Sequence, residues 1–160
     1  PLSDGFTILP TLLKPKSRGT VSLQSARFDD APVIDPQYLA AAEDRETLKR
    51  GMRIARDIVF SSAFDGLRKG TELNYPAGEW TEDLMQEHME QATECVYHPV
   101  GTCKMGTDAE AVCDPSTLRV KGLKGLRVAD ASIMPDVISG NTNAAVVMIA
   151  EKAADIILSK

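Results

Sequence analysis

Residues 97–106, Tyr97-His98-Pro99-Val100-Gly101-Thr102-Cys103-Lys104-Met105-Gly106, and residues 139–144, Ser139-Gly140-Asn141-Thr142-Asn143-Ala144, decide how the rest of the chain is read. The first stretch sets one of the 2 histidines of the sequence among Pro and Gly, so its imidazole is expected on backbone that is neither helix nor strand. The second places Gly and two Asn directly before an apolar run of helical spacing. Over residues 143–158, Val146, Ile149, Ala150, Ala153 and Ile157 share one side, with Glu151, Lys152 and Asp155 near the other. The start of such a helix offers unpaired backbone N–H groups and the positive end of the helix dipole, a place that favours negative charge. A proton acceptor and an anion-favouring helix start within one segment point to chemistry that moves a proton and gathers negative charge beside it.

Working outward, residues 118–120 and 126–129 are two short strand candidates separated by Gly122 and Gly125, and residues 107–116 form a largely polar excursion around Asp114-Pro115. Upstream, Thr81 followed by Glu82 and Asp83 marks a helix start, with a hydroxyl cap and acids in the first turn. Leu84, His88, Met89, Ala92 and Cys95 then share a face, which makes His88 a structural rather than a reactive histidine. Residues 66–78, ending in Tyr75-Pro76-Ala77-Gly78, read as a connection. A second helix is expected over residues 44–61, where Leu48, Met52, Ala55, Ile58 and Val59 form the apolar stripe that should lie against a sheet. Residues 6–13, interrupted by Pro10, and residues 20–25 favour strand, joined through a hairpin-like connection at 14–19. Val33-Ile34 could add only a brief edge strand within the loop-like residues 28–36. Short strands alternating with two or three helices, without a regular strand-helix-strand period, argue for an α+β fold: an antiparallel sheet with helices packed on it.

Composition narrows the function classes. A chain of 160 residues with 43% hydrophobic content can bury a core of its own. Its 23 acidic against 18 basic side chains leave a net charge of −5 with no long basic run, which argues against a nucleic-acid partner. No stretch approaches the roughly 20 apolar residues of a membrane span. Three cysteines, an odd number without a regular framework, favour thiols in a reducing compartment, so a cytoplasmic location is expected. Cys95, His98, Cys103 and Cys113 could be taken for a zinc set, but Cys95 falls on a helix face and Cys113 in the polar excursion, and no metal is expected. Pro1 in place of an initiating Met reads as the beginning of an excised piece.

Together the residues 97–106, the runs Leu118-Arg119-Val120 and Leu126-Arg127-Val128-Ala129-Asp130-Ala131-Ser132, and residues 140–155 resemble the C-terminal portion of the glucose-methanol-choline (GMC) oxidoreductases. The likeness is closest to the choline-dehydrogenase-like bacterial branch. It extends upstream to Leu12-Leu13-Lys14-Pro15-Lys16-Ser17-Arg18-Gly19-Thr20-Val21 and Ile34-Asp35-Pro36-Gln37-Tyr38-Leu39, so several ordered motifs cover nearly the whole chain. The resemblance implies an enzyme that oxidises a primary alcohol to an aldehyde by hydride transfer to flavin adenine dinucleotide (FAD). His98 matches the residue that takes the hydroxyl proton, and Asn141 matches its partner, an amide able to donate to the substrate oxygen. Thr142 and Asn143 match positions against the pyrimidine edge of the flavin ring, where negative charge gathers on reduction. Asp130 and Ala131 match the segment that approaches the ribityl and pyrophosphate part of FAD.

No Gly-x-Gly occurs in the sequence, so the fingerprint that seats a dinucleotide pyrophosphate is absent. The family carries it near its N-terminus. Residues 1–96 are accordingly expected to form the substrate-binding region, and residues 97–160 the active-site turn and the segment returning to an FAD-binding domain that these residues lack. By itself the chain should neither retain FAD nor oxidise alcohols. The strand and helix at 126–158, which in the family pack onto that domain, should leave apolar surface uncovered and open to self-association. Two alternatives stand beside this reading: a non-catalytic standalone binding module of the same fold, and a lyase relative using the same base without net redox change.

Overall fold

The structure, a computed structural model, describes residues 5–68 and 80–159. Its elements run β1 (Thr20–Ser22), β2 (Val33–Asp35), α1 (Ala42–Val59), a 3-10 turn (Ser62–Phe64), α2 (Glu82–Ala92), a second 3-10 turn (Ala131–Ile133) and α3 (Asn143–Leu158). Among the described residues, three helices and one two-stranded antiparallel sheet make an α+β arrangement, as the pattern of elements predicts. The described residues divide into two units. One holds residues 5–12, 16–18, 37–68 and 80–94, and the other residues 13–15, 19–36 and 95–159.

The first unit is built on α1 and α2. Glu43 and Asp44 lie in the first turn of α1 and Arg56 in its last, each charge complementing the helix dipole. Met52 of the predicted stripe is buried with Met85 and Met89 of α2, and Leu39, Leu48 and Trp80 close around them. Thr81 caps α2 as expected, its Oγ1 accepting from the Leu84 amide at 3.3 Å. Two readings of this unit shift. The buried face of α2 is carried by Met85 and Met89, while Ala92 is exposed and Cys95 lies beyond the helix end. Asp44, expected merely to open the helix, is 2% exposed and clamps residues 16 and 17 onto it. Its carboxylate accepts from the Lys16 amide at 2.8 Å, the Ser17 amide at 2.7 Å and the Ser17 hydroxyl.

In the second unit β1 pairs with β2 in the register Thr20↔Asp35, Val21↔Ile34 and Ser22↔Val33. The sheet partner of β1 is thus the pair Val33-Ile34, not residues 6–13, which form no strand. Pro10 withholds an amide donor there, and Leu9 remains 74% exposed. The core of this unit joins Cys113, Leu118, Ile133, Met134, Ile149 and Ala153. The strand candidates at 118–120 and 126–129 do meet antiparallel, with Val120 N donating to Leu126 O at 3.1 Å and Val128 N to Leu118 O at 3.2 Å. They amount to isolated bridges rather than strands, because Gly122 and Gly125, both at positive φ, turn the chain between them. Cys113 corrects the polar reading of its segment: at 0% exposure it is core, bridged to Met105 on one side and Val120 on the other. Residues 69–78 of the predicted connection lie outside the described residues.

Candidate active site

Tyr97 sits at φ 64, a left-handed conformation uncommon for a bulky side chain, and Gly101 follows at φ 93. Between these two reversals the backbone turns sharply, and His98 is presented half-buried from its middle while Tyr97 stays 86% exposed. Downstream the turn is pinned. Cys103 N donates to Ser132 O at 3.0 Å and Met105 N to Ile133 O at 2.8 Å, tying it to the second 3-10 turn. That turn is capped in its own right by Asp130, whose Oδ1 accepts from the Ser132 amide at 2.8 Å and from the Ser132 hydroxyl. Ala131 is half-buried and packs against the core below.

Helix α3 reaches the same core from its other end. Ile149 and Ala153 are buried in it, with Ala145, Val146 and Ile156 packed alongside, so the buried side is centred slightly off the predicted one. Ala150 and Ile157 are exposed instead. Because the His98 turn and α3 stand on one set of core residues, the imidazole and the helix start are brought together: His98 Nδ1 lies 3.0 Å from Thr142 Oγ1. Thr142 is 7% exposed, whereas its neighbours Asn141 and Asn143 are exposed. No side chain among the described residues caps α3. The helix start therefore presents first-turn amides and the positive end of its dipole, with Thr142 against a histidine and the exposed Asn141 and Asn143 on either side of Thr142 in the sequence.

Of the residues predicted for the site, His98 and Thr142 are in direct contact, with Asn141 and Asn143 flanking the latter in sequence. Asp130 and Ala131 form the 3-10 start that anchors the histidine turn. What the sequence reading missed is the His98–Thr142 contact itself. A Thr directly before a helix signals a cap, and nothing in the spacing says that its hydroxyl turns elsewhere. His88 faces the Trp80 ring at 6.2 Å between centroids, in keeping with a structural role. Three of the four residues of the zinc alternative are employed otherwise: Cys95 Sγ lies 3.1 Å from the Tyr97 amide, Cys113 is core and His98 holds Thr142. Among the described residues no three His, Cys, Asp or Glu gather as metal ligands. Burial, and secondarily the nearby Cys103 thiol, push the Cys113 thiol above its ordinary range, so it is an inert packing group. A groove of about 570 Å³ lined by Tyr38, Arg45, Gln86, Met89 and Thr93 contains none of the site residues. Concavity alone does not find this site.

The profile of the GMC oxidoreductase C-terminal region matches residues 15–150. An alcohol dehydrogenase [acceptor] from Pseudomonas putida is 44% identical over 98% of this chain and 28% of its own length. A choline oxidase from Arthrobacter globiformis is 41% identical over 98% of this chain and 29% of its own length. Among solved structures, an FAD-dependent oxidoreductase from Chaetomium thermophilum superposes with a TM-score of 0.84 at 31% identity, covering 92% of this chain and 25% of that one. The chain thus spans less than a third of the length of these relatives. A profile match over most of its length, with the histidine turn and the helix start standing on one core, shows that this chain belongs to the GMC oxidoreductase family, of which it is the C-terminal region.

Proposed function

We propose that the protein containing this chain is an FAD-dependent oxidoreductase that converts a primary alcohol to an aldehyde, with His98 as the general base. The observation that carries this reading is the 3.0 Å contact between His98 Nδ1 and the residue that opens α3, which sets a proton acceptor beside an uncapped helix start. An alcohol proton is too weakly acidic to leave unaided near neutral pH, so a base within hydrogen-bond reach of the oxygen is required as the carbon gives up its hydride. His98 accepts the hydroxyl proton. The Asn141 carboxamide, exposed and next to Thr142 in the sequence, donates to the oxygen as negative charge builds there. The oxygen keeps the electron pair of its lost O–H bond and forms the carbonyl with the carbon that releases the hydride.

The residues present suit a flavin at the same place. Asn143 is exposed at the first position of α3, and neither the Thr142 hydroxyl nor any other described side chain occupies the helix start, so donors and dipole are open to a negatively charged ring edge. Asn143 and the Thr142 main chain would hold that edge, and the Asp130-Ala131 backbone would approach the ribityl side. FAD bound there would supply the hydride acceptor. In this reading residues 1–96 contribute the substrate side, residues 97–160 the base and the return to the FAD-binding domain, and a small alcohol is the substrate.

The test uses the full-length flavoprotein carrying this chain. Anaerobic mixing with a panel of primary alcohols, choline included, is expected to bleach the flavin absorbance. His98→Gln should slow that bleaching by about 10²- to 10⁴-fold, the usual contribution of a positioned base. Bleaching in His98→Gln within tenfold of the parent rate would remove His98 from the role.

A further inference from the structure

The residue that opens α3 does not behave as a cap. Thr81, opening α2 at φ −72 and ψ 161, turns its Oγ1 back to the Leu84 amide, and Asp130 does the same for the Ser132 amide of the 3-10 turn. Thr142 stands at φ −77 and ψ −15, a helical conformation in place of the extended one that caps adopt, and its side chain accepts no helix amide. Its carbonyl still accepts from Val146 N at 2.9 Å, so the helix begins where a cap belongs while the hydroxyl is turned away from it. That hydroxyl is buried, and its described contact is His98 Nδ1 at 3.0 Å.

A neutral imidazole carries one donor nitrogen and one acceptor nitrogen, and a threonine hydroxyl can serve either. If the hydroxyl donated to Nδ1, the proton of the ring would sit on Nε2 and that nitrogen could accept nothing. If Nδ1–H donates to Oγ1, the Nε2 lone pair is left for an incoming proton. The lone pairs of Thr142 Oγ1 are not engaged by α3, which leaves them open to a donor, and 3.0 Å is the ordinary N–H···O separation.

We infer that Thr142 is a positioning residue for His98: its buried hydroxyl accepts the Nδ1–H proton, holding the ring in the Nδ1–H tautomer with Nε2 free toward the substrate oxygen. The inference rests on the alcohol-oxidising reading above for its consequence, but not for the tautomer itself. It also separates the two roles of one residue, since the side chain of Thr142 serves the base while the main chain opens the helix.

The experiment compares Thr142→Val, which keeps the buried volume and removes the hydroxyl, with Thr142→Ser, which keeps the hydroxyl, in the FAD-loaded full-length protein. The ring ¹⁵N signals of His98 in histidine-labelled protein report the tautomer directly. The parent and Thr142→Ser should show a protonated Nδ1 and an unprotonated Nε2, and Thr142→Val should shift the ring toward the Nε2–H form. Turnover at saturating alcohol should fall roughly 10- to 100-fold in Thr142→Val with KM changed by no more than about threefold, and Thr142→Ser should restore most of it. An Nε2–H parent, an unchanged tautomer in Thr142→Val, or a Thr142→Ser variant as slow as Thr142→Val would overturn the inference. His98→Gln keeps the two readings apart. If it retains turnover, the assignment of the base fails while the ¹⁵N spectra still decide the tautomer; if it loses turnover while Thr142→Val does not, only the positioning role fails.

Discussion

Asp44 shows how one side chain can carry more than its position announces. A carboxylate at 2% exposure is pulled toward the neutral form by its burial, but the amides of Lys16 and Ser17 and the Ser17 hydroxyl all donate to it. These donors outweigh the burial and hold its pKa below the ordinary 3.8. A depressed folded-state pKa means that the charged form stabilises the fold. That stability is fully present above the unfolded value and is lost as pH falls through the folded one. Melting of the protein should therefore show an acid-side decline below about pH 4, of which Asp44→Asn removes a part. At neutral pH the same substitution should cost about 2 kcal/mol, because it places an amide donor against amide donors. Equal acid slopes in urea titrations of parent and variant would exclude the clamp. The sequence displayed Asp44 only as an acid in a first helical turn. Its partners are 27 and 28 residues away, and such pairings leave no local pattern.

At the scale of elements, what was legible was periodic and what was not depended on partners. The three described helices were read because an apolar stripe, or a Thr cap with acids behind it, shows within a few residues. Helix α3 begins and ends where its pattern does, at Asn143 and Leu158. Strand pairing has no such internal signature. Residues 6–13 carry more apolar character than Val33-Ile34, yet it is the latter pair that β1 takes up, because a strand exists only where another chain segment accepts its hydrogen bonds. Gly19 reveals the constraint that the composition hid. A Cβ built on it would lie 2.3 Å from Asp35 O and 2.6 Å from Pro36 O, both backbone atoms that cannot swing aside. Gly19→Ala is thus expected to part the strands at the Thr20↔Asp35 end, with amide exchange accelerating at residues 20–22 and 33–35 and a loss of about 2–4 kcal/mol. Gly101→Ala makes the contrasting case. Its Cβ would meet only Met134 O at an ordinary 3.5 Å, so the cost is that of holding φ 93 without glycine, about 1–2 kcal/mol, felt at the His98 turn.

Over the whole molecule, the site was legible as a set of residue types before any of them could be placed. A histidine in a turn and an Asn-rich helix start are visible in one dimension; that they meet follows from Cys113, Ile133 and Ile149 forming a single core beneath both. The surface that this core leaves outside is also instructive. On α3 the side opposite Ile149 carries Val147 at 54% and Met148 at 59% exposure, with Leu158 at 80% near its end, broken by Glu151 and Asp155. Leu123 and Leu126 add exposures of 57% and 49% from the bridged loops of the same unit. Apolar side chains this exposed favour a covering surface, and the chain spans less than a third of the length of its relatives and holds no Gly-x-Gly. Prepared as these 160 residues, the protein should associate with itself as concentration rises and release added FAD on gel filtration. Val147→Lys with Met148→Lys should return it to a monomer by sedimentation velocity with its helical circular dichroism intact, since neither residue belongs to the buried core. A parent chain that stays monomeric at millimolar concentration, or one that elutes yellow with bound FAD, would show that the exposed face of α3 and the helix start beside His98 are already complete without further protein.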